Sequence, residues 1–214
     1  MAKILKEYPE VILKEEDINE KVDFKALFGR SQEVHIEIGA GKGTFIVNQA
    51  RAFLEIDFLG IEWARKYYRH AVDRIGRWQL KNARMIRTEA ADFIAKNLKN
   101  SSVDWFHVYF PDPWPKKRHN KRRFLCKDNL TELLRCLKTG GVIQIATDHK
   151  DYYEQITTVF NDGDDRFEKI GFIKAANAQQ AEYVGTNFER KYIKDQRAVY
   201  TLAVKKLPTD TNPN

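Results

Sequence analysis

The segment from Glu33 to Phe53 constrains the fold of this chain most. EVHIEI (33–38) alternates and is β-branched enough for a strand, GAGKG (39–43) is a glycine loop, and TFIVNQARAF (44–53) carries a helical pattern. A strand fed through a glycine turn into a helix opens an α/β sheet, and the rest of the chain repeats the alternation. Asp57 to Glu62 reads as a second strand, Trp63 to Ile75 as a helix, and Ala83 to Arg87 as a third strand closing on Glu89 and Ala90. Asp92 to Leu98 reads as a short helix, and Val103 to Phe110 as a buried strand stopped by Pro111, Pro113 and Pro115, since prolines cannot continue a central strand. Asp128 to Leu137 places Leu130, Leu133, Leu134 and Leu137 on one helical face; Gly140 and Gly141 stop it, and Val142 to Ala146 begins another strand. Asp151 to Phe160 resumes as a helix, and Phe167 to Ile173 and Ala198 to Lys205 form a final pair of strands. The expected fold is α/β, a mostly parallel sheet with helices on both faces.

At 214 residues and 43% apolar composition, the chain accommodates one ordinary core and not two. The expected division is a lead-in over 1–30, a catalytic domain over 31–206, and a polar, disordered tail over 207–214. No apolar run is long enough to span a bilayer and no leader pattern opens the chain, so a cytoplasmic protein without membrane contact is expected. Cys126 and Cys136 are too few and too isolated for a disulfide framework or a metal site. With 37 Lys+Arg against 30 Asp+Glu, the formal charge is +7, a field that attracts polyanions.

In an open α/β sheet, ligands bind beyond the carboxyl ends of the strands, where strand order reverses. Chemistry-bearing residues stand at every one of those ends: Gly39, Gly41 and Gly43 after the first strand, Glu62 at the second, Glu89 after the third, Asp112 after the fourth, and Asp148 after the fifth. Glu62 lies 23 positions after Gly39, close to the offset at which a carboxylate hydrogen-bonds the ribose hydroxyls of an adenosine cofactor. That spacing would also suit NAD. Glu37, however, adds a carboxylate just before the glycine loop, which opposes a pyrophosphate and suits a ligand carrying an ammonium and a sulfonium. The residues therefore favour S-adenosylmethionine. From Lys116 to Arg123, six of eight residues are Lys or Arg, placed directly after the proline-rich loop, where a basic run can bring phosphates to a reaction centre.

Taken in order, EIGAGKG, GIE, the Glu89-Ala90 pair, FPDPWPKKRHNKRR, TDH and TNFERKY resemble the bacterial tRNA (guanine-N7-)-methyltransferase family over about residues 30 to 205. The resemblance implies a Rossmann-like class I methyltransferase fold and S-adenosylmethionine as methyl donor, with S-adenosylhomocysteine as product and no metal. It further implies tRNA as partner, methylated on N7 of the variable-loop guanosine at position 46. By matching motif positions, Glu37, Gly39, Gly41, Glu62, Glu89 and Asp112 would contact cofactor, with Asp112 also the active-site carboxylate. Lys116, Asp148, Thr186, Asn187, Phe188 and Glu189 would contact substrate, although pattern alone reads the last four as a polar loop. Glu89 stands where the family more often has aspartate, which keeps the carboxylate, and the N-terminal segment is less arginine-rich than usual. A monomer or homodimer without an obligatory protein partner is expected. Two other readings remain open at this stage: methylation of a different base nitrogen, and a non-catalytic RNA-binding protein on the same fold.

Overall fold

A computed structural model describes residues 4–18, 20–160 and 165–208. Among them the sheet has eight strands in the order β1-β4-β3-β2-β5-β6-β8-β7. These are β1 Ile12–Leu13, β2 Glu33–Ile38, β3 Ile56–Ile61, β4 Ala83–Ile86, β5 Val103–Tyr109, β6 Leu137–Thr147, β7 Phe167–Ile170 and β8 Tyr200–Lys206. The pairings from β1 through β6 are parallel, and β8 then pairs antiparallel with both β6 and β7. The helices are α1 Phe24–Phe28, α2 Thr44–Ala52, α3 Arg65–Arg77, α4 Ala90–Asn97, α5 Lys127–Cys136, α6 Lys150–Val159 and α7 Asn187–Lys194.

Alternation decides what each face of the central strands meets. Val34, Ile36 and Ile38 of β2 and Phe106 and Val108 of β5 face one way, into a core with Phe93 and Ile94 of α4, Leu130, Leu133 and Leu134 of α5, and Tyr152 and Ile156 of α6. On the other face, Ile46, Val47 and Ala50 of α2 and Ala71, Val72 and Ile75 of α3 cover Phe58, Ala83 and Met85. Such two-sided burial explains why β2 and β3 are buried at every position after their first residue. Strand order reverses between β2 and β5, which opens a crevice at their carboxyl ends.

Two expectations are corrected, and the lead-in contributes an element of its own. Leu137 begins β6 rather than ending a helix, and Gly140 and Gly141 lie inside that strand. They sit where β6 deviates from β5: Gly140 has φ +79°, and a Cβ on Gly141 would lie 2.8 Å from the Asp104 carbonyl. The lead-in supplies an edge strand, Ile12 pairing with Met85. The segment from Asn187 onward is a helix, not a loop. The tail expected to be disordered lies, from residue 209 on, outside the described residues.

Candidate cofactor and substrate site

The loop after β2 carries three consecutive left-handed glycines at alternate positions, Gly39 (φ +74°), Gly41 (φ +55°) and Gly43 (φ +71°). The backbone needs them: side chains disfavour that region, and at Gly43 a Cβ would also press to 2.9 Å against Ala71 of α3. The turn is pinned from β3. Gly39 and Ala40 donate to the Ile61 carbonyl at 2.9 and 3.0 Å, and Glu62 accepts from Gly41 N–H at 2.8 Å and from Ala64 N–H at 2.7 Å. At the entrance to α2, Arg74 donates to Thr44 Oγ1 (2.8 Å) and to the Lys42 carbonyl (3.2 Å).

Over this loop lies a cavity of about 350 Å³ at the β2/β5 reversal, within the size range of small-molecule sites. It is lined by Glu37, the Gly39–Lys42 turn, Thr44, Phe45, Tyr67, Tyr109 and Phe110, and closed from α7 by Thr186, Asn187, Phe188 and Lys191. Glu37 is its chemical centre. The carboxylate is buried, and its Oε2 has no hydrogen-bond partner. Burial pushes its pKa up to about 8; the backbone N–H of Ile46 opposes the rise, the Glu62 charge adds to it, and Arg74 opposes it. A buried carboxylate with one oxygen unpartnered, lining a cavity, suits a cationic ligand group.

The structure brings Glu37, Gly39, Gly41, Thr186, Asn187 and Phe188 to one cavity, with Glu62 one hydrogen bond behind the loop. The other expected residues stand outside its lining. Glu89 caps α4, accepting from Asp92 N–H at 2.9 Å, and is otherwise exposed. Asp112 and Lys116 are exposed on the loop that follows β5. Asp148, just beyond β6, is ion-paired with Arg197, whose guanidinium lies 5.0 Å from the Tyr192 ring centre. Trp114 faces the basic turn rather than the cavity, with Arg122 4.9 Å over its ring.

Glu189 requires a correction. It is fully buried, and its carboxylate accepts from the backbone N–H groups of Tyr183 (2.6 Å), Val184 (3.0 Å) and Gly185 (2.8 Å). Thr186 Oγ1 in turn accepts from Glu189 N–H at 3.2 Å, capping α7. With its oxygens already engaged, Glu189 is not positioned to accept from a guanine; it shapes the loop that presents Asn187 and Phe188. Thr-x-x-Glu is the capping-box spacing, a signal present in TNFE that a polar-loop reading passes over.

Arg123 also departs from the sequence reading. Grouped with a phosphate-binding run, it is instead buried, donating to the Pro113 carbonyl (2.8 Å) and Gln155 Oε1 (2.7 Å) and pairing with Asp151. It anchors the proline-rich loop from beneath. Lys117–Arg122 form a short 3-10 turn whose lysines and arginines are exposed, as is Lys116 before it.

A mostly parallel sheet ending in an inserted antiparallel strand, with a glycine loop and acidic strand ends at its reversal, defines the class I methyltransferase fold. The solved Haemonchus contortus phosphoethanolamine N-methyltransferase 2, in complex with phosphomonomethylethanolamine and S-adenosylhomocysteine, superposes with a TM-score of 0.53. At 15% identity, covering 86% of this chain and 51% of that one, it shares the fold alone. Residues 31–202 match the family model described as "Putative methyltransferase". The tRNA (guanine-N(7)-)-methyltransferase of Nitrosococcus oceani is 37% identical over 86% of this chain and 76% of its own length. That of Rhodopirellula baltica is 42% identical over 65% of this chain, and the match spans only 53% of the relative's own length. The chain belongs to the tRNA (guanine-N(7)-)-methyltransferase family.

Proposed function

We propose that this protein transfers the methyl group of S-adenosylmethionine to N7 of the guanosine at position 46 in the tRNA variable loop, releasing S-adenosylhomocysteine. The carrying observation is the buried Glu37 carboxylate, its Oε2 without a hydrogen-bond partner, lining a cavity at the strand-order reversal in a chain of this family. The residues fit the cofactor: Glu37 would meet its cationic end, the Gly39–Gly41 turn would lie against it, and Glu62 would keep lone pairs for ribose hydroxyls. Glu89 and Asp112 would complete the set from the ends of β4 and β5.

When bound, S-adenosylmethionine supplies a methyl carbon made electrophilic by its sulfonium. Guanine N7 has an in-plane lone pair and no proton, so its N–C bond would form as the donor's S–C bond broke, with no need of a general base. The transfer would leave a neutral thioether and a positive charge on the purine. The protein's part is to align donor and acceptor and to stabilise that charge; Asp112, an exposed carboxylate on the loop held by Arg123, would serve it. Lys116 and the exposed basic turn would take phosphates, and Asn187 and Phe188 at the cavity rim would meet the base, with Thr186, Asp148 and Glu189 holding their supports.

Incubation with labelled S-adenosylmethionine and unmodified tRNA, followed by nucleoside analysis and mapping of the modified position, tests the reading. The expected product is 7-methylguanosine at position 46. A methyl group on another atom would overturn the N7 assignment, and one elsewhere in tRNA would overturn the position. Asp112→Ala is expected to lower turnover mainly; near-normal rates at saturating substrates would remove Asp112 from the mechanism.

A further inference from the structure

Against the wall of the cofactor cavity lies a second cavity of about 190 Å³, on the α2 face of the sheet. The two share Phe45 and Tyr109. Phe53, Phe58 and Trp105 add aromatic walls to the second, and its charged lining residues, Glu33 and Lys174, are exposed.

Its floor is a hydrogen-bonded chain across three strands, and that chain fixes where every proton sits. Ile173 N–H donates to Gln144 Oε1 at 2.7 Å, so Gln144 Nε2 is the atom that donates to Tyr109 Oη at 3.3 Å. The Tyr109 hydroxyl proton is then free for His107 Nδ1, 2.8 Å away. With Nδ1 accepting, a neutral His107 carries its proton on Nε2 and donates it to His35 Nδ1 at 3.1 Å. A neutral His35 therefore carries its own proton on Nε2. Burial keeps both rings neutral, holding His35 down to about 3 and His107 well below the usual histidine range. The His35 Nε2–H is buried without a hydrogen-bond partner, the Glu33 carboxylate standing 3.7 Å off. Gln49 Nε2, from α2, is likewise buried and unpartnered.

We propose that this cavity binds a neutral, flat heterocycle of the nucleobase class, which accepts hydrogen bonds from His35 Nε2 and Gln49 Nε2 and packs among Phe45, Phe58 and Trp105. Two buried side-chain nitrogens that make no hydrogen bond, with only the exposed Glu33 carboxylate near one of them, call for a ligand that brings acceptors, because unsatisfied buried N–H groups are rare and costly. Uncharged donors call for a neutral ligand, and the aromatic walls for a planar one. The size agrees: a cavity of about 150 Å³ holds benzene, so this one holds a single ring with its exocyclic oxygens.

Calorimetric titration of the full chain with uracil and with cytosine tests the site, with toluene and benzoate as controls. Both bases are expected to bind, and toluene and benzoate more weakly. Gln49→Leu is expected to lower base affinity at least tenfold, leave S-adenosylmethionine affinity in the absence of base unchanged, and raise the Tm of the ligand-free protein by removing an unsatisfied donor. Should the leucine variant not fold, Gln49→Met carries the same test. The proposal is overturned if neither base binds, if toluene or benzoate binds as tightly, or if the Gln49 variant binds the bases as the wild type does.

Discussion

The backbone N–H of Gly41 donates to the carboxylate of Glu62 at 2.8 Å, so the turn after β2 is held in shape by the residue that ends β3's run into the crevice. One side chain thereby fixes the loop and, on the proposed reading, would also meet the ribose of a ligand lying on it. Glu62→Ala is expected to weaken S-adenosylmethionine binding by about 1.5 to 3 kcal/mol, the range for a lost hydrogen bond to a charged group, while the fold persists. Calorimetry checks it, and unchanged affinity would remove Glu62 from the cofactor site.

Glu37 is expected to make cofactor binding pH-dependent. Its folded-state pKa, about 8, exceeds the ordinary 4.5, so between those values the folded protein holds a proton that the unfolded chain has released. Ligand-free stability therefore falls as pH rises through that window, by at most about 1.4 kcal/mol per unit from this group. A cationic ligand reverses the preference and draws the ionised form. S-adenosylmethionine affinity is expected to rise with pH up to about 8 and then level off, with proton release visible in buffers of different ionisation enthalpy. Glu37→Gln should abolish the slope; a slope that survives would point to another group.

Arg123 and the exposed lysines beside it should separate cleanly. Neutralising Lys116, Lys117 and Arg118 together is expected to weaken tRNA binding and flatten its salt dependence by roughly 0.7 to 0.9 in log-log slope per lost phosphate contact. Arg123→Lys keeps the charge but loses the planar fork that reaches Pro113, Gln155 and Asp151, so it should lower turnover and leave the salt slope intact. An equal effect on slope from both variants would return Arg123 to the phosphate-binding group.

Glu189→Gln puts an amide where three backbone N–H groups require acceptors. A loss of about 1.5 to 3 kcal/mol is expected, with faster hydrogen exchange at Val184 and Gly185. If denaturation and exchange are unchanged while the KM for tRNA rises, Glu189 touches substrate after all.

What could be seen in the sequence follows from where information is local. β2, its glycine loop and α2 are legible because strand alternation, positive-φ glycines and helical periodicity each act within a few residues, and Glu37 and Glu62 stand at positions that the α/β sheet itself singles out. Arg123 was not legible: within KKRHNKRR nothing local distinguishes the guanidinium that turns under Pro113 from those that face water. Glu189 reads as one more polar residue until Tyr183, Val184 and Gly185 fold back on it. Gly140 and Gly141 misled because a glycine pair after a leucine stripe resembles a helix stop, whereas pairing with β5 and β8 makes it a deviation within a long strand.

The strand order carries a consequence for how the protein is made. β8 is the last strand in chain order yet lies inside the sheet, between β6 and β7. On the ribosome, β6 is complete long before its neighbour exists, and its outer row of amide and carbonyl groups waits while α6, β7 and α7 are synthesised. A nascent chain stalled ahead of Tyr200 therefore presents a bare, apolar strand edge, the form of surface that pairs with other chains and that chaperones engage. Completion of the sheet is tied to the release of residues 200–206 from the exit tunnel.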